Sequence, residues 1–333
     1  MARKTKLIRA SSTRKLHQGT LYQAFWSTQR HSMIAAAATE FLSLHAKQRV
    51  GALLKKLGPS VTLADIAPWA DNVKRPSSTP HDPETKKFIA DPRNATNSRW
   101  HYADIPLGCS GYDPTHCQHF IRDDDVVHIL ALAVEVLQNK SQRFSPINAL
   151  RLVTHLVGDI HQPLHVGCSF MRKKDSKADL ITDPQKIIAE GLPSDRGGNL
   201  LLLPVGGIAL HSYWDSQLGG AQPMSVAQAV PVPRDVMNLV RRVKRLRAGA
   251  KANGALSAIV ANISIEIAAW ATQSLLAARI AYDGITVDKA SGAKYLVKWP
   301  GKTAYDKRCG PIVKNRMTTA AHSLANLLNS IFS

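Results

Sequence analysis

The chain has 333 residues, and 43 Lys and Arg against 24 Asp and Glu give it a formal net charge of +19. This length allows a sizeable core in one large domain or two small ones. Four cysteines without a CxxC pair exclude a disulfide-rich scaffold. A local bridge between Cys109 and Cys117 is nevertheless sterically allowed. The charge favours a polyanionic partner, nucleic acid first and an anionic membrane surface second, while a basic surface is often merely solvated.

Residues 1–25 are predicted to be a basic N-terminal extension. They hold six Lys and Arg and no acid, and their longest uncharged run, "LHQGTLYQAF", is too polar for the apolar core of a secretory signal. Elsewhere no apolar run approaches the roughly 18 residues of a membrane span. We therefore expect no transmembrane segment.

Apolar periodicity then indicates mostly helix and no convincing run of alternating strands. One or two helices are predicted in "SMIAAAATEFLSLHAKQRVGALLKKL", ending near Gly58 and Pro59. A second region, "DDDVVHILALAVEVLQNK", opens with three acids, which suit the positive end of a helix dipole. A third helix begins with Ser145 as N-cap and Pro146 in its first turn, and it runs into "HLVGDIHQPLH".

The second half of the chain mixes charged and apolar stretches. Residues 166–196 are predicted to be a charged, irregular insertion loop, and "GGNLLLLPVGGIALHSYWD" a short β-hairpin leading into a helix. The stretch "VPRDVMNLVRRVKRLRAGAK" has helical apolar spacing with a basic opposite face, and a last helix is predicted from about Pro311 to Phe332. No repeat or linker divides the chain, so we predict an all-α class with a single mostly helical domain over residues 26–333.

Three histidines and an aspartate lie within eleven residues of the otherwise apolar segment "HLVGDIHQPLH". Residues four apart share a helical face, so His155 and Asp159 point the same way and suit one ion. Pro163 disfavours helical geometry at Gln162 and ends the helix, so that His165 approaches from another direction. The segment therefore predicts ligands for more than one metal ion.

The same four-residue spacing recurs at His211 and Asp215 in "LHSYWD". Further candidate ligands are Asp71 in "WADNVKR", His101 in "RWHYAD" and His31 in "WSTQRH". Nitrogen and carboxylate ligands without cysteine suit zinc, and an open position on such an ion lowers the pKa of bound water to about 7. The pattern predicts a cluster of metal ions rather than one structural ion.

The remaining histidines have a simpler interpretation. A lone histidine on an apolar helix is more often a hydrogen-bonded core residue than a metal ligand. We place in that class His161, His116, His119, His128 and His322.

Taken in order, these stretches resemble the zinc-dependent single-strand-specific nucleases with 3'-nucleotidase activity, which are related in fold to the zinc phospholipases C. The resemblance covers roughly Trp26 to Asn329. It rests on "WSTQRH", "WADNVKR", "RWHYADIP", "HLVGDIHQPLH", "GGN", "LHSYWD" and "GPIVKNRMTTAAHSLANLLN". Any one motif is weak, whereas all of them in order are specific. The resemblance implies a mostly helical domain that binds up to three zinc ions and acts on nucleic acid.

The resemblance also implies a ligand set for each ion. The first zinc would be held by Asp71, His101, His155 and Asp159. The second would be held by His165, His211 and Asp215. The third would be held by the amino group and carbonyl of Trp26, by His31 and by a bridging Asp159. The attacking water would lie between the first and third ions, and the second would stabilise the leaving 3'-oxygen, giving 5'-phosphate products.

Other positions match the surroundings of the family's metal site. The family places an Arg three residues after the first aspartate, where this chain has Lys74 followed by Arg75, and either cation would stabilise charge on the phosphoryl oxygens. Asp104 matches the acid that orients this cation. Tyr102 and Asn199 match the base pocket, where stacking on an aromatic ring needs an unpaired base.

Three departures from the family pattern affect these expectations. Ser27 and Arg30 replace the small residues usual around the first histidine, which puts a charge beside that site. The family's Trp is the mature N-terminus, which implies a secreted or periplasmic protein, but here 25 residues precede Trp26 and "QAF" is a poor cleavage site. An uncut chain would leave the third zinc without its amino ligand. The 166–196 insertion also brings basic residues near the expected mouth of the site, where they would gate substrate or have no role: Arg172, Lys173, Lys174 and Lys177.

Three hypotheses follow. The first is a zinc-dependent endonuclease that hydrolyses single-stranded DNA and RNA and also acts as a 3'-nucleotidase. The second is a phospholipase C-type phosphodiesterase, which comparison of oligonucleotide and phosphatidylcholine turnover would separate from the first. The third is a basic nucleic-acid-binding protein with an impaired metal site, which predicts salt-sensitive binding that survives His155→Ala and no hydrolysis. No protein partner is predicted.

Overall fold

The computed structural model describes residues 28–74, 81–113, 117–219 and 255–333. Helices dominate these residues, which confirms the predicted mostly helical class. They are α1 (Thr28–Glu40), α2 (Leu44–Leu54), α3 (Leu63–Ile66), α4 (Trp69–Val73), α5 (Pro83–Ala90), α6 (Val126–Leu137), α7 (Pro146–His161), α8 (Pro163–Val166), α9 (Pro184–Glu190), α10 (Leu210–Ser212), α11 (Ala255–Tyr282) and α12 (Lys302–Ile331). Short 3-10 turns lie at Pro92–Asn94, Asn97–His101 and Gln118–Phe120, and a π-helical turn lies at Tyr213–Gln217.

Short strands in the described residues form three small sheets. The strands are β1 (Ile105–Pro106), β2 (Gly167–Cys168), β3 (Phe170–Lys174), β4 (Lys177–Ile181), β5 (Leu201–Leu202), β6 (Thr286–Ser291) and β7 (Lys294–Lys298). β1 pairs with β2 in parallel, and β3 with β4 as an antiparallel hairpin. β7 lies between β5, which is parallel to it, and β6, which is antiparallel. Because these strands are short, helices build the core.

The centre of the molecule is α7, which is buried from Ile147 to His161. It packs against α6, α12, α11 and α1, so side chains on every face of the helix are enclosed, as expected of a helix surrounded by others. Its start is as predicted, with the Ser145 side chain accepting a hydrogen bond from the Asn148 amide and Pro146 in the first turn. Ligands carried by this helix are therefore held rigidly.

The predicted break after α7 is present at Gln162. This residue has extended backbone angles (φ −81°, ψ 117°), and α8 begins at Pro163. The Gln162 side chain accepts a hydrogen bond from the Leu164 amide and so caps α8. His165 consequently lies on a separate short helix, as the position of Pro163 predicted.

The prediction of an irregular segment over residues 166–196 is wrong, because the segment folds into β2, the β3–β4 hairpin and α9. Its buried residues include Phe170, Met171 and Ile187, while its charged residues lie mainly on exposed strand ends. β3 and β4 are each five residues long, so the alternation of apolar and polar residues along them is too short to be recognised among the surrounding charged residues. Nearby, the backbone amide of Gly108 donates to Thr182 O at 3.0 Å and ties the segment to the body of the protein.

Other predictions in the second half differ in detail. A tight turn joins Leu203 to Ile208, whose carbonyl accepts the Leu203 amide at 2.9 Å, so the predicted hairpin is reduced to this turn. The last helix begins at Lys302 rather than near Pro311. An interior proline removes one backbone hydrogen bond, but the preceding turns are held by buried Tyr305. The helix predicted in "VPRDVMNLVRRVKRLRAGAK" lies outside the described residues.

Two further features concern the cysteines and the lengths of the apolar helices. Cys109 and Cys117 form a disulfide, while Cys168 and Cys309 are buried free thiols. Within the described ranges, no helix combines the length and the apolar character needed to cross a membrane.

Candidate metal centre

The predicted ligand side chains come from separate helices and turns that meet at α7. This helix carries His155 and Asp159 one turn apart, and both are buried. Asp71 lies in α4, which packs against α7. His101 ends the 3-10 turn Asn97–His101, which also contacts α7. Short elements that pack on one long helix thus bring together residues that are far apart in sequence.

Four of these residues surround one point. His101 Nδ1 lies 2.7 Å from Asp159 Oδ2 and 3.1 Å from His155 Nε2. His155 Nε2 in turn lies 3.0 Å from Asp159 Oδ2. Asp71 Oδ1 is 3.6 Å from His155 Nε2 and 3.7 Å from His101 Nδ1. Two nitrogens and two carboxylate oxygens at this spacing suit the ligands of a single zinc ion.

His31 lies beside this first cluster, on the other oxygen of Asp159. Its Nε2 is 3.4 Å from Asp159 Oδ1, and its ring stacks on His155 with centroids 3.8 Å apart and 14° between the planes. A Cβ on Gly158 would lie 2.6 Å from His31 Nδ1, so the absence of a side chain at Gly158 makes room for the imidazole. Asp159 therefore presents one oxygen to each of two groups of nitrogens, as a bridging carboxylate would.

A second cluster contains His165, His211 and Asp215. His165 Nε2 lies 3.8 Å from Asp215 Oδ1, and His211 Nε2 lies 3.4 Å from Asp215 Oδ2. The π-helical turn that follows α10 carries Asp215, and the four-residue spacing still places it beside His211. His165 Nδ1 is also 3.3 Å from Asp159 Oδ1, so the two clusters adjoin.

Backbone carbonyls fix the orientation of three imidazoles. His155 Nδ1 donates to Ala67 O at 2.7 Å, His165 Nδ1 to His101 O at 2.8 Å, and His211 Nδ1 to Gly197 O at 2.9 Å. A carbonyl can only accept, so each Nδ1 carries a proton and Nε2 is the nitrogen left for a metal ion, whose binding would displace any proton there. Such carbonyl partners are typical of metal-binding histidines.

Several buried polar atoms at the two clusters have no hydrogen-bond partner. Buried polar groups are ordinarily paired, and an unpaired one costs about 1–3 kcal/mol. The atoms without a partner are His31 Nδ1 and Nε2, His165 Nε2 and Asp215 Oδ2. All belong to predicted ligands, and the chemistry of this donor set fits zinc.

The family model for S1/P1 nuclease matches residues 26–333. The chain belongs to the S1/P1 nuclease family. This confirms the predicted family of zinc-dependent single-strand nucleases, so the chain is a hydrolase of phosphodiester bonds that depends on zinc and takes nucleic acid as substrate. A search of curated proteins gave no match.

The electrostatics of the S1/P1 nuclease centre favour a bound cation. Burial opposes ionisation of Asp159, but nearby histidines, His155 first among them, hold its pKa well below the ordinary value. Burial also disfavours a charged His165, yet Asp159 and Asp215 outweigh it and raise the pKa of His165 to about 9. For His101, burial dominates and lowers the pKa to about 3. The centre thus keeps a buried carboxylate ionised, which a metal ion would neutralise.

A cavity of about 750 Å³ opens beside both clusters. Its wall includes four residues that the sequence placed around the metal site: Lys74, Tyr102, Asp104 and Asn199. One face of the Tyr102 ring is covered by the Arg122 guanidinium, whose carbon lies 4.9 Å from the ring centroid. Among the described residues, this cavity is where a substrate would reach the predicted ligands.

Lys74 and Asp104 make different contacts on this wall. Lys74 Nζ lies 2.6 Å from Asp71 Oδ1, so the cation is beside a predicted ligand. Asp104 accepts a hydrogen bond from Ser194 Oγ at 3.2 Å, and burial raises the pKa of its carboxyl. Two other predicted site residues, Trp26 and Arg75, lie outside the described residues.

Sequence reasoning missed three residues around the centre. Gln162 Nε2 donates to Asp215 Oδ1 at 2.7 Å, and its place just before Pro163 was the available signal. Arg30 was noted only as a charge near His31. Its side chain donates a hydrogen bond to the Trp214 carbonyl and so stabilises the turn that carries Asp215. Lys294 lines the cavity from β7, and nothing in its local sequence indicated this.

His161 was predicted to be structural, and its contacts are those of a core residue. It is fully buried, and its Nδ1 donates to Val157 O at 2.7 Å. Its Nε2 lies 3.3 Å from Ser323 Oγ. Both nitrogens thus have partners within the helical core.

Asp195 anchors the loop that supports His211. Its carboxylate accepts hydrogen bonds from Ser169 Oγ at 2.7 Å, Tyr282 OH at 2.9 Å and the Gly198 amide at 3.0 Å. The neighbouring Gly197 supplies the carbonyl that accepts from His211. The Asp195 side chain thus holds in place the backbone at Gly197, two residues further along the chain.

Replacement of Asp195 by Asn is expected to change the pH dependence of stability. Burial raises the pKa of Asp195 to about 7, with nearby Asp104 adding to the rise. A raised pKa stabilises the native protein at low pH, and that stabilisation is lost as the pH increases from about 4 to about 7, by at most ~1.4 kcal/mol per pH unit. The free energy of unfolding of Asp195→Asn should therefore fall less steeply than that of the wild type in denaturant titrations across this interval. Parallel curves would contradict the expectation.

Proposed function

We propose that this chain is an endonuclease that hydrolyses single-stranded DNA and RNA to products with 5'-phosphates, and that it also removes the phosphate of 3'-nucleotides. The observation that carries the proposal is the set of buried, unpartnered ligand atoms at the edge of a cavity large enough for a nucleotide. Membership of the S1/P1 nuclease family supports the reaction class. The net charge of +19 suits a polyanionic substrate.

Three zinc sites are proposed. The first would be held by Asp71, His101, His155 and Asp159. The second would be held by His165, His211 and Asp215. The third would be held by His31, Asp159 and Trp26. Bound zinc would supply Lewis acidity toward the phosphate oxygens and lower the pKa of a water molecule.

The side chains of the cavity wall would position the substrate. Lys74 Nζ, 2.6 Å from Asp71 Oδ1, would place a positive charge beside the phosphoryl group. The open face of Tyr102 would stack on an unpaired base, since Arg122 covers the other face. Asn199 donates through Nδ2 to the Arg196 carbonyl at 2.9 Å, and its side-chain oxygen would accept a hydrogen bond from a base edge. A paired base cannot enter such a pocket, which accounts for a single-strand preference.

The proposal is tested by activity of the zinc-loaded protein. Single-stranded DNA and RNA should be cut and duplex DNA spared, and a chelator should stop cleavage until zinc is restored. The products should resist a kinase that labels free 5'-hydroxyls, and inorganic phosphate should be released from 3'-AMP but not from 5'-AMP. Intact single strands after zinc loading would refute the proposed activity.

Tyr102→Ala is expected to weaken substrate binding more than turnover. Loss of base stacking costs about 1–3 kcal/mol per base, so KM for a single-stranded oligonucleotide should rise roughly 5- to 100-fold while kcat changes little. Tyr102→Phe keeps the ring and should remain close to the wild type. If Tyr102→Phe loses as much as Tyr102→Ala, the ring does not act through stacking.

We also propose an exported protein whose mature N-terminus is Trp26, because the third site needs that amino group. The Cys109–Cys117 disulfide suits an oxidising compartment. Intact mass and metal content of the protein from the producing cells test this directly. A chain that retains residues 1–25 and yet binds three zinc ions would contradict it.

A further inference from the structure

Two lysine-bearing hairpins lie side by side, and one of them reaches the cavity. One is β3–β4, whose exposed lysines include Lys173 and Lys177, and the other is β6–β7, which exposes Lys289 and Lys294. In the part of the chain that the structure describes, none of these four lysines forms an ion pair. We refer to the four residues as the lysine track.

Backbone contacts make the track continuous with the cavity. Lys294 and Leu200 both line the cavity, and the Tyr295 amide donates to Leu200 O at 2.8 Å. At the same end of the β6–β7 hairpin, Ala290 pairs with Tyr295 and its amide donates to Ser176 O at 2.7 Å, which joins β6 to the tip of the β3–β4 hairpin. The track therefore runs from the cavity rim at Lys294, across the closed end of the β6–β7 hairpin, to the tip of the β3–β4 hairpin.

The hairpin tip concentrates positive charge. Lys174 and Lys177 are directly opposite in the β3–β4 register, where like charges are unfavourable. Lys174 is neutralised by Asp179, with Nζ 2.6 Å from Oδ2, and Arg172 is paired with Glu190. Lys177 has no such partner among the described residues. Lys177 is therefore a positive charge at the hairpin tip that a bound polyanion would neutralise.

We propose that the lysine track binds the phosphate backbone of a single-stranded nucleic acid beyond the nucleotide held in the cavity. This inference rests on the proposed function and adds an extended substrate site to it. Exposed lysines are suited to the task because they contact phosphates as mobile point charges without reading sequence. The protein would then favour long strands over short ones, in a salt-dependent way.

The test compares a long and a short substrate in a triple variant, Lys173→Ala, Lys177→Ala and Lys289→Ala. Lys294 is left unchanged because it lines the cavity. The long substrate is an oligonucleotide of about 20 nucleotides, which exceeds the ~4–16 nucleotides that single-strand sites span, and the short one is a dinucleotide. A matched control removes the same charge from exposed lysines of α2 and the turn after it: Lys47→Ala, Lys55→Ala and Lys56→Ala.

We expect kcat/KM of the zinc-loaded triple variant to fall roughly tenfold for the long strand and to stay unchanged for the dinucleotide. The slope of log affinity against log salt, measured by anisotropy with a phosphorothioate strand, should flatten by about 0.7 per lysine removed. The control triple variant should match the wild type in both assays. A Lys→Arg triple variant, which keeps the charge, should restore long-strand affinity.

The results separate the two proposals. If the wild type cleaves neither the dinucleotide nor the long strand, the proposed function is refuted. The salt dependence of binding measured by anisotropy would still show whether the lysine track binds the long strand. The lysine-track proposal would be overturned if kcat/KM of the triple variant fell equally for the long and the short substrate. It would also be overturned if the control variant lost as much kcat/KM on the long strand. Wild-type slopes in the triple variant, with unfolding temperatures unchanged, would overturn it as well.

Discussion

Asp159→Asn is expected to abolish hydrolysis and to lower the zinc content of the protein. Asp159 Oδ2 lies 2.7 Å from His101 Nδ1 and 3.0 Å from His155 Nε2, while Oδ1 lies 3.4 Å from His31 Nε2. The substitution keeps the shape of the side chain but removes the negative charge that faces these nitrogens. Loss of a ligand should exceed the 10–100-fold effect of removing an outer partner, so kcat/KM should fall at least ~100-fold.

Metal analysis and activity should change together in this variant. Zinc per chain is measured after dialysis, and kcat/KM on single-stranded DNA is measured with zinc restored. Asp125→Asn provides a control, because Asp125 is also a buried carboxylate but accepts its hydrogen bonds from groups outside the proposed zinc ligands: Tyr112 OH, the Val127 amide and the His128 amide. The control should keep its full zinc content. An Asp159→Asn protein that retains both zinc and rate would remove Asp159 from the proposed centre.

The local part of the site could be predicted from the sequence because helical spacing is a local property. His155 and Asp159 meet on one face of α7, and His211 and Asp215 meet one turn apart in the same way. Gln162 takes an extended conformation because Pro163 follows it. In these cases, a few neighbouring residues determine the geometry.

The long-range part could not be derived from local patterns. Asp71 and His101 are placed beside His155 by the packing of α4 and a 3-10 turn on α7. The sequence offered both as candidate ligands, but only the family resemblance assigned them to one ion with His155. The β3–β4 hairpin escaped prediction because its buried residues, Phe170 and Met171, are too few to show a period. The contact between its tip and β6 through Ala290 depends on chain segments more than 100 residues apart.

Gly158→Ala is expected to remove the third zinc selectively. A Cβ at this position would lie 2.6 Å from His31 Nδ1 and 2.9 Å from His31 Cε1, closer than real Cβ contacts allow. His31 is fully buried and stacked on His155, so the imidazole cannot yield without leaving Asp159 Oδ1. The first cluster contacts Asp159 through the other oxygen and should keep its ion.

The matched control is Gly51→Ala, because Gly51 is also inside a helix and a Cβ there would meet nothing within 4 Å. Removing an interior helical glycine normally stabilises a protein by about 0.5–1 kcal/mol. Gly51→Ala should show that gain and keep full activity. Gly158→Ala should instead bind one zinc fewer than the wild type when both are processed at Trp26. Its kcat should fall because His31 would no longer help to hold an ion that would supply Lewis acidity and lower the pKa of a water molecule. Since the two variants make the same chemical change in a helix, the difference between them isolates the contact with His31, and equal zinc contents would show that His31 holds no ion.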